Sequence, residues 1–217
     1  MELLCFGDSN TWGHDPNDGS RFGRGVRWTS LLAERLGGEW NLHEEGLCGR
    51  TAVFPDPFDA DMGARDPLRI AVRTHRPLDL VLLMLGTNDL KRCFHASAYE
   101  IALGVEKLVQ EIRRLPPEDS GSPDILLVSP ILVGENIGET CFAEMFGPRA
   151  HTESRKLAAY YRDTAERCGC HFFDAAQAAA PSREDAVHLD EAGHRALAAA
   201  LYGEVTRIGR LRVARAR

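Results

Sequence analysis

The sequence predicts an α/β fold: a three-layer α/β/α sandwich around a central parallel sheet of about five strands. Two observations lead to this prediction. Short, continuous apolar segments recur along the chain, and stretches with helical periodicity lie between them. Apolar segments without polar alternation are typical of strands that helices cover on both faces. Alternating strands and helices indicate a doubly wound domain with right-handed crossovers.

Five segments are the predicted strands. The most apolar are residues 3–6, 80–85 and 125–128, and two weaker ones are residues 40–43 and 170–173. Continuous apolar segments this short favour buried strands over helices. Ligands of open parallel sheets bind at the carboxyl ends of the strands. Functional groups are therefore expected directly after these segments.

The clearest predicted helix begins at Ser97, a residue type that caps helix N-termini, and ends at the proline pair 116–117. Its apolar residues recur at helical spacing: Ile101, Val105, Leu108 and Ile112. Other helices are predicted at about 28–36, 151–168 and 191–206.

Three long segments rich in Gly, Pro and Asp are predicted loops, at about 14–26, 51–67 and 129–148. Loops this long in a compact domain are more often functional than accidental, and these are expected to rim the carboxyl edge of the sheet. The last two contain four phenylalanines that either form a subunit interface, as in a homo-oligomer, or fill the loop core. They are Phe54, Phe58, Phe142 and Phe146.

The 217 residues are expected to form one domain, 1–217, because this length suits a single α/β domain. Hydrophobic residues make up 44% and charged residues 27%, as in ordinary globular proteins. A formal net charge of -6 argues against nucleic-acid binding, which requires clustered Lys and Arg. The basic C-terminal tail, 207–217, is the exception, and a solvated or frayed terminus is expected there.

The N-terminus, MELLCF, becomes polar at once and does not resemble a secretory signal. No apolar run approaches the roughly 18 residues that a membrane-spanning helix needs. A cytoplasmic protein without a membrane partner is therefore expected, with its six cysteines as thiols. Cys168, Cys170 and His171 have the chemistry of metal ligands, but no second pair at zinc-finger spacing accompanies them, so no metal site is expected.

The segment GDSNTWG, residues 7–13, follows the first predicted strand directly. It places Ser9 in the first strand-to-helix turn, a position that suits a nucleophile. Gly7 and Gly13 allow a tight backbone path, and the Ser9 amide can point toward other donors at this edge of the sheet. Taken alone, the segment is also consistent with Ser9 or Asn10 capping the next helix.

Hydrogen-bond donors follow the neighbouring predicted strands. GTND, residues 86–89, comes after the third strand, where Asn88 can offer its side-chain amide to an oxyanion and Asp89 can brace the turn. GLCGRT, residues 46–51, comes after the second strand, where a glycine amide can approach a ligand closely. Three adjacent strand ends are thus expected to supply converging donors.

A carboxylate and an imidazole stand three residues apart in DAVH, residues 185–188, before the last predicted helix. There Asp185 can fix the tautomer of the His188 ring while the other ring nitrogen accepts a serine proton. The three chemical groups of a Ser-His-Asp triad are therefore present in Ser9, His188 and Asp185.

Together these motifs resemble the SGNH family of GDSL-type esterases and lipases. GDS at 7–9, Gly49, GTND at 86–89 and DAVH at 185–188 match its four blocks in order. The resemblance implies a flavodoxin-like SGNH hydrolase fold, the triad just described, and no metal or organic cofactor. It also implies an oxyanion hole made of Ser9, Gly49 and Asn88, with Gly46 as the alternative glycine.

Within that family the chain is similar to the arylesterase and acyltransferase branch, through CFGDSNTWG at 5–13, VRWT at 26–29, EEGL at 44–47 and LMLGTND at 83–89. The branch implies a small-molecule ester as substrate, cleavage of small acyl esters, and acyl transfer to alcohols or peroxide. Asn10 departs from the Leu that the family name implies. Asn10 and Trp12 are expected in the substrate pocket.

Several alternatives compete with this interpretation. His194 is the nearest rival to His188, but it is expected inside the last helix, pointing away from the loop. Asp8 occupies the place of a receiver-domain phosphoacceptor, but the accompanying acidic cluster and later Lys are not evident, so structural hydrogen bonds are expected instead.

A non-catalytic flavodoxin-like module that binds small molecules is the alternative from another functional class. This alternative is weakened because neither GxGxxG nor a phosphate loop occurs. A nucleophile-elbow hydrolase is excluded because GxSxG is absent.

Overall fold

A five-stranded parallel sheet forms the centre of the computed structural model, which describes residues 1–52, 54–115 and 121–215. The strand order is β2-β1-β3-β4-β5, so β1 lies between β2 and β3. The strands are β1 (Glu2–Gly7), β2 (Asn41–Gly46), β3 (Leu80–Met84), β4 (Asp124–Ser129) and β5 (His171–Asp174). All five predicted strands are confirmed.

Helices cover both faces of the sheet, which confirms the predicted three-layer sandwich. They are α1 (Ser9–Trp12), α2 (Trp28–Leu36), α3 (Arg65–His75), α4 (Ala98–Arg114), α5 (Ala143–Cys168) and α6 (Glu191–Arg215). Buried residues of α3, α4 and α5 form the core on one face, and those of α2 and α6 form the core on the other.

The two cores explain why the central strands β1, β3 and β4 are largely apolar, whereas the edge strands β2 and β5 are more polar and only partly buried. Successive side chains of a strand point to opposite faces of the sheet. In β1, Leu4 and Phe6 pack into the core under α3, α4 and α5, whereas Leu3 and Cys5 pack into the core under α2 and α6. Because neither face of β1 meets water, its sequence does not alternate with polar residues.

Helix α3 and the start of α5 differ from the prediction. Pro67 falls in the first turn of α3, where the missing N–H costs no helical hydrogen bond, so this proline does not prevent the helix. Helix α5 begins at Ala143 rather than at 151 and is kinked at Gly147, whose φ of 66° is left-handed. The predicted loops 51–67 and 129–148 are correspondingly shorter.

The prediction of a frayed tail from residue 207 is wrong for its described part, because α6 continues to Arg215. Ile208 is buried in the core. Arg212 donates to Asp79 at 2.9 Å, and Arg215 donates to Asp124 at 2.6 Å. The basic residues thus bind carboxylates at the amino ends of β3 and β4, and this anchors the end of α6.

Three of the four loop phenylalanines belong to the protein core. Phe146 is buried, and Phe54 and Phe142 pack against the core in partly buried positions. Phe58 is 87% exposed and is the member of the set that remains accessible to a second subunit. A homo-oligomer therefore stays a prediction that depends on Phe58 and its surroundings. Among the described residues, no helix is long and apolar enough to cross a membrane.

Candidate active site

Ser9 lies at the carboxyl end of β1, in a sharp turn into α1. Asp8 caps α1 by accepting a hydrogen bond from the Asn10 backbone N–H at 3.0 Å, as expected for a structural role. A Cβ atom on Gly7 would stand 2.1 Å from Thr11 Oγ1, so only glycine allows this close approach of β1 and α1. The turn therefore fixes Ser9 rigidly at the edge of the sheet.

The structure brings Ser9, His188 and Asp185 together. Ser9 Oγ lies 2.8 Å from His188 Nε2, and His188 Nδ1 lies 2.6 Å from Asp185 Oδ2. The other oxygen of Asp185 accepts the backbone N–H groups of Val187 and His188, each at 2.9 Å. Ser9 and His188 are each 5% exposed and Asp185 is 1% exposed, so these hydrogen bonds are largely shielded from water.

The surroundings of the two buried aspartates shift their pKa values in opposite directions. Burial by itself raises the pKa of Asp185, but the hydrogen bonds and charge of His188 outweigh it and hold this pKa below its usual value. Burial raises the pKa of Asp8 to about 6 despite the hydrogen bond from Asn10. Asp185 therefore stays ionised to a lower pH than Asp8 does.

Asn88 and Asp89 hold the segment after β2 against the end of β3. Asn88, at the start of a short 3₁₀ turn, donates through Nδ2 to the Arg50 carbonyl at 3.1 Å. Asp89 accepts the Ala52 N–H with both carboxylate oxygens, at 3.0 and 2.8 Å. Asp89 braces the turn as predicted, and the segment containing Gly49 is thereby fixed beside Asn88.

The two candidate oxyanion glycines have different surroundings. A Cβ on Gly46 would stand 2.2 Å from the Trp12 backbone nitrogen, so this glycine is required for α1 to pack on β2. Gly49 has a left-handed φ of 86° and lines an open cavity. The packing of α1 on β2 thus explains why residue 46 is a glycine, whereas Gly49 lies where a ligand can reach it.

Two aromatic residues beside His188 were not recognised from the sequence as parts of the site. The His14 ring lies 4.0 Å from the His188 ring, and the Phe142 ring lies 5.6 Å away in an edge-on arrangement. Burial and the charge of His188 lower the pKa of His14. The available signal in the sequence was that His14 directly follows Gly13, a residue type that often ends helices, as Gly13 ends α1.

Trp12 and Asn10 were both predicted to line the substrate pocket. Trp12 is half-buried, with its ring 6.4 Å from that of His14 and the Arg21 guanidinium 5.2 Å above it, so its pocket role stays a prediction. The Asn10 side chain is buried, and its pocket role stays a prediction too. Its amide forms hydrogen bonds with the backbone of Val187 and Leu189.

An apolar cavity of about 630 Å³ opens beside Gly49. Its walls include Cys48, Phe58, Met62 and Met145, and its polar side includes Lys91, which forms an ion pair with Asp56 at 3.1 Å. A cavity of this size and lining accommodates a small apolar group next to the proposed oxyanion glycine.

In the described part of the chain, one group of side chains has the spacing of metal ligands: His14, Asp185 and His188, whose ligand atoms lie within 4.8 Å of one another. Asp185 and His188 are already hydrogen-bonded to each other at 2.6 Å. A proton fits between two atoms this close, whereas a metal ion bound by both would have to separate them.

His194, the rival histidine, lies within α6 as predicted. Its Nδ1 accepts the Trp28 backbone N–H at 3.3 Å, and the edge of its ring faces Phe22 at 5.4 Å. Burial lowers the pKa of His194 to about 4, so the ring is neutral in the folded protein near neutral pH. His194 is therefore a core residue.

The model of the GDSL-like lipase/acylhydrolase family matches residues 5–196, which include Ser9, Asn88, Asp185 and His188. The chain belongs to this family. This GDSL-like hydrolase also resembles several solved structures over nearly its whole length. Comparison with curated proteins gives no match.

Three solved structures show the resemblance of this GDSL-like hydrolase to esterases. Est24, a carbohydrate acetylesterase from Sinorhizobium meliloti, and the aryl esterase of M. smegmatis each have a TM-score of 0.90 and 35% identity, covering 96% of this chain and 99% of theirs. A putative arylesterase from Agrobacterium tumefaciens str. C58 has a TM-score of 0.86 and 37% identity, with the same coverage. The family and these neighbours identify the protein as a carboxylic ester hydrolase.

Proposed function

We propose that this hydrolase cleaves small acyl esters with Ser9 as nucleophile, His188 as general base and acid, and Asp185 as the group that orients His188. The observation that carries the proposal is the continuous hydrogen-bonded path from Ser9 Oγ through His188 to Asp185, with separations of 2.8 and 2.6 Å. Nucleophile, base and orienting carboxylate at hydrogen-bond distance are the arrangement that serine acyl transfer requires.

In the first step, Ser9 Oγ attacks the ester carbonyl carbon while His188 Nε2 takes the serine proton. Asp185 keeps the other ring nitrogen protonated and stabilises the resulting imidazolium. His188 then gives its proton to the leaving alcohol, which separates and leaves the acyl group on Ser9. Water attacks this acyl-enzyme with the same proton transfers in reverse, and this releases the acid and restores Ser9.

The tetrahedral oxyanion is held by three N–H donors: the backbone amides of Ser9 and Gly49 and the side chain of Asn88. A side-chain amide nitrogen carries two hydrogens. Asn88 uses one to hold the Arg50 carbonyl, which leaves the second for the oxyanion. Because Asn88 is buried and held at Arg50, it does not have to reorganise during the reaction.

Small acyl esters of aryl or carbohydrate alcohols are the proposed substrates. The names of the structural neighbours, a carbohydrate acetylesterase, an aryl esterase and a putative arylesterase, support this class. The apolar cavity beside Gly49 provides room for one apolar part of the substrate. The preference for short acyl chains is inferred from the acetylesterase among these neighbours and not from the cavity volume.

Acyl transfer is a second proposed activity of the same acyl-enzyme. The rings of His14 and Phe142 pack against the His188 ring, and Ser9 and His188 are each 5% exposed. Restricted access of water allows an alcohol or peroxide to compete for the acyl group. Product analysis with and without added alcohol tests this activity: a new ester should form at the expense of free acid, and free acid alone in both reactions would contradict it.

Hydrolysis of p-nitrophenyl acetate, butyrate and octanoate by the wild type and Ser9→Ala tests the proposed function, with folding checked by circular dichroism. The wild type should cleave acetate fastest, and Ser9→Ala should lose this activity while remaining folded. Ser30→Ala, which changes a partly exposed serine on α2, is the matched control and should retain full activity. Equal rates in wild type and Ser9→Ala, or none in either, would contradict the serine mechanism and favour the non-catalytic binding module.

A further inference from the structure

We propose that Asn10 is a positioning residue that holds the loop of His188 in place against Ser9. The inference rests on the proposed function, since it concerns the alignment of the nucleophile and its base. Ser9 and His188 are 179 residues apart in the chain, yet their reacting atoms lie 2.8 Å apart. Interactions that join the two segments must therefore set this distance.

The Asn10 side chain binds the loop on both sides of His188. Its Nδ2 donates to the Val187 carbonyl at 3.2 Å, and its Oδ1 accepts the Leu189 N–H at 2.9 Å. Donor and acceptor of one planar amide thus pair with the residues before and after the histidine, as a neighbouring peptide group would. The two bonds fix both the position and the rotation of the loop at His188.

Asn10 is itself held rigidly on the nucleophile turn. Its backbone N–H donates to Asp8 Oδ1 at 3.0 Å, and its carbonyl accepts the indole N–H of Trp28 at 2.9 Å. Trp28 is fully buried, and Asn10 is 3% exposed. Since Asn10 directly follows Ser9, the loop of His188 is attached to the same rigid turn that presents the nucleophile.

Two other residues shape the loop from inside it. Asp185 bonds the His188 ring and backbone from within the loop. Ser182 N–H donates to the His188 carbonyl at 2.7 Å, and this contact too is within the loop. The roles are therefore divided: Asp185 and Ser182 set the internal shape of the loop, and Asn10 connects it to the nucleophile.

Two substitutions separate positioning from simple packing. Asn10→Leu keeps the branched shape of the side chain but removes both hydrogen bonds, so kcat should fall by about 100-fold with little change in KM, as for a displacement of about 1 Å between reacting groups. Asn10→Asp is nearly isosteric. The protonated carboxyl group has one O–H donor and one carbonyl acceptor, so it can replace the amide. The ionised carboxylate can only accept hydrogen bonds, and it would face the Val187 carbonyl, which is also an acceptor.

Asn10→Asp should therefore approach wild-type activity at low pH and lose it as pH rises. The quantity to measure is the ratio of its kcat/KM to that of the wild type at each pH. The titratable groups around the site, Asp8, His14, Asp185 and His188, are present in both proteins, so this ratio removes most of their own titration. The control is Ser97→Ala, which removes the cap of α4 and lowers stability away from the site.

Two results together support the inference. The ratio of kcat/KM between Asn10→Asp and the wild type falls with rising pH, and Asn10→Leu loses kcat whereas Ser97→Ala does not. A ratio that rises with pH would mean that the new charge acts on His188 electrostatically, and a constant ratio would mean that Asn10 only packs. Either outcome overturns the inference. Wild-type kcat in Asn10→Leu overturns it as well. Ser9→Ala separates the two proposals: if Ser9→Ala stays active, the proposed function itself fails.

Discussion

The buried imidazole of His188 has a different partner at each ring nitrogen, and the two partners decide what the ring can do. Asp185 accepts the Nδ1 proton at 2.6 Å, and this leaves Nε2 as the acceptor that faces Ser9 at 2.8 Å. Because both partners are nearly inaccessible to water, neither interaction is exchanged easily for a solvent contact. In the proposed mechanism, this tautomer of the His188 ring allows Ser9 to act as the nucleophile.

Replacing Asp185 by Asn tests the role of this tautomer. The amide can still accept the backbone N–H groups of Val187 and His188, but its NH₂ group favours the wrong tautomer of His188. We expect kcat to fall by about 10⁴-fold while the fold is kept, as for the equivalent change in other serine hydrolases. Steady-state kinetics with p-nitrophenyl acetate measures the change.

Asp190→Asn is the control, because it makes the same chemical change on an exposed residue at the start of α6. It should leave kcat unaltered. If Asp185→Asn retained wild-type kcat, Asp185 would not be the residue that orients His188.

Replacing Asn88 by Ala tests the side-chain donor of the oxyanion hole. Loss of one such donor typically lowers kcat by about 100- to 1000-fold. We expect that loss in kcat with a folded protein, measured by kinetics and circular dichroism. Asn41→Ala, at the opposite end of the sheet on β2, is the control and should remain fully active. A tenfold or smaller effect on kcat would remove Asn88 from the oxyanion hole.

Residues with a chemical signature were predictable from the sequence, and residues that act through tertiary contacts were not. Ser9, Asn88, Asp185 and His188 stand in short motifs directly after strands or before a helix, and the structure brings all four to one sheet edge. Asn10 has no signature of its own. Its role depends on the distant backbone of Val187 and Leu189, which no local pattern reveals.

At the scale of elements, the helix ends were harder to predict than the strands. The central strands β1, β3 and β4 are largely apolar because both of their faces are covered, and this signal is local. The end of α6 depends instead on ion pairs with Asp79 and Asp124, which are distant in sequence. From composition alone, the same basic residues predict a solvated tail. The start of α5 was hidden by the Gly147 kink, which looks like a helix break in the sequence.

The ion pairs of α6 predict that its last turns contribute to stability. Arg212 donates to Asp79 at 2.9 Å and to the Ser122 carbonyl at 3.1 Å, with 17% of its side chain exposed. Arg212→Ala should lower the free energy of unfolding by about 1–3 kcal/mol, the usual range for hydrogen bonds to charged groups. Urea denaturation measures it. Arg210→Ala changes an exposed neighbour on α6 and should alter the free energy of unfolding by less than about 0.5 kcal/mol. Equally small effects of both substitutions would show that the tail is solvated.

At the scale of the whole molecule, His194 links acid stability to the packing of α6 on α2. Its pKa is lowered from 6.5 to about 4 by burial. Below pH 6.5 the unfolded chain therefore binds a proton that the folded protein excludes, and stability falls as pH decreases toward 4. The loss reaches roughly 3 kcal/mol, since one pKa unit corresponds to about 1.4 kcal/mol.

His194→Gln keeps an acceptor for the Trp28 N–H but cannot be protonated in this range. Urea denaturation at neutral and acidic pH should show a smaller acid-induced loss of stability in this variant than in the wild type. His95→Gln, which removes an exposed histidine, should behave like the wild type. If His194→Gln lost as much stability in acid as the wild type, another group would control the acid limit.

The central claim is that Ser9 is a nucleophile activated by His188, and covalent labelling tests it most directly. The protein is treated with a serine-directed sulfonyl fluoride, and the modified residue is located by peptide mass spectrometry while the remaining esterase activity is measured. We expect one adduct on Ser9, loss of activity in proportion to labelling, and little labelling of folded His188→Ala. An adduct elsewhere, or a protein labelled at Ser9 that retains full activity, would contradict the claim.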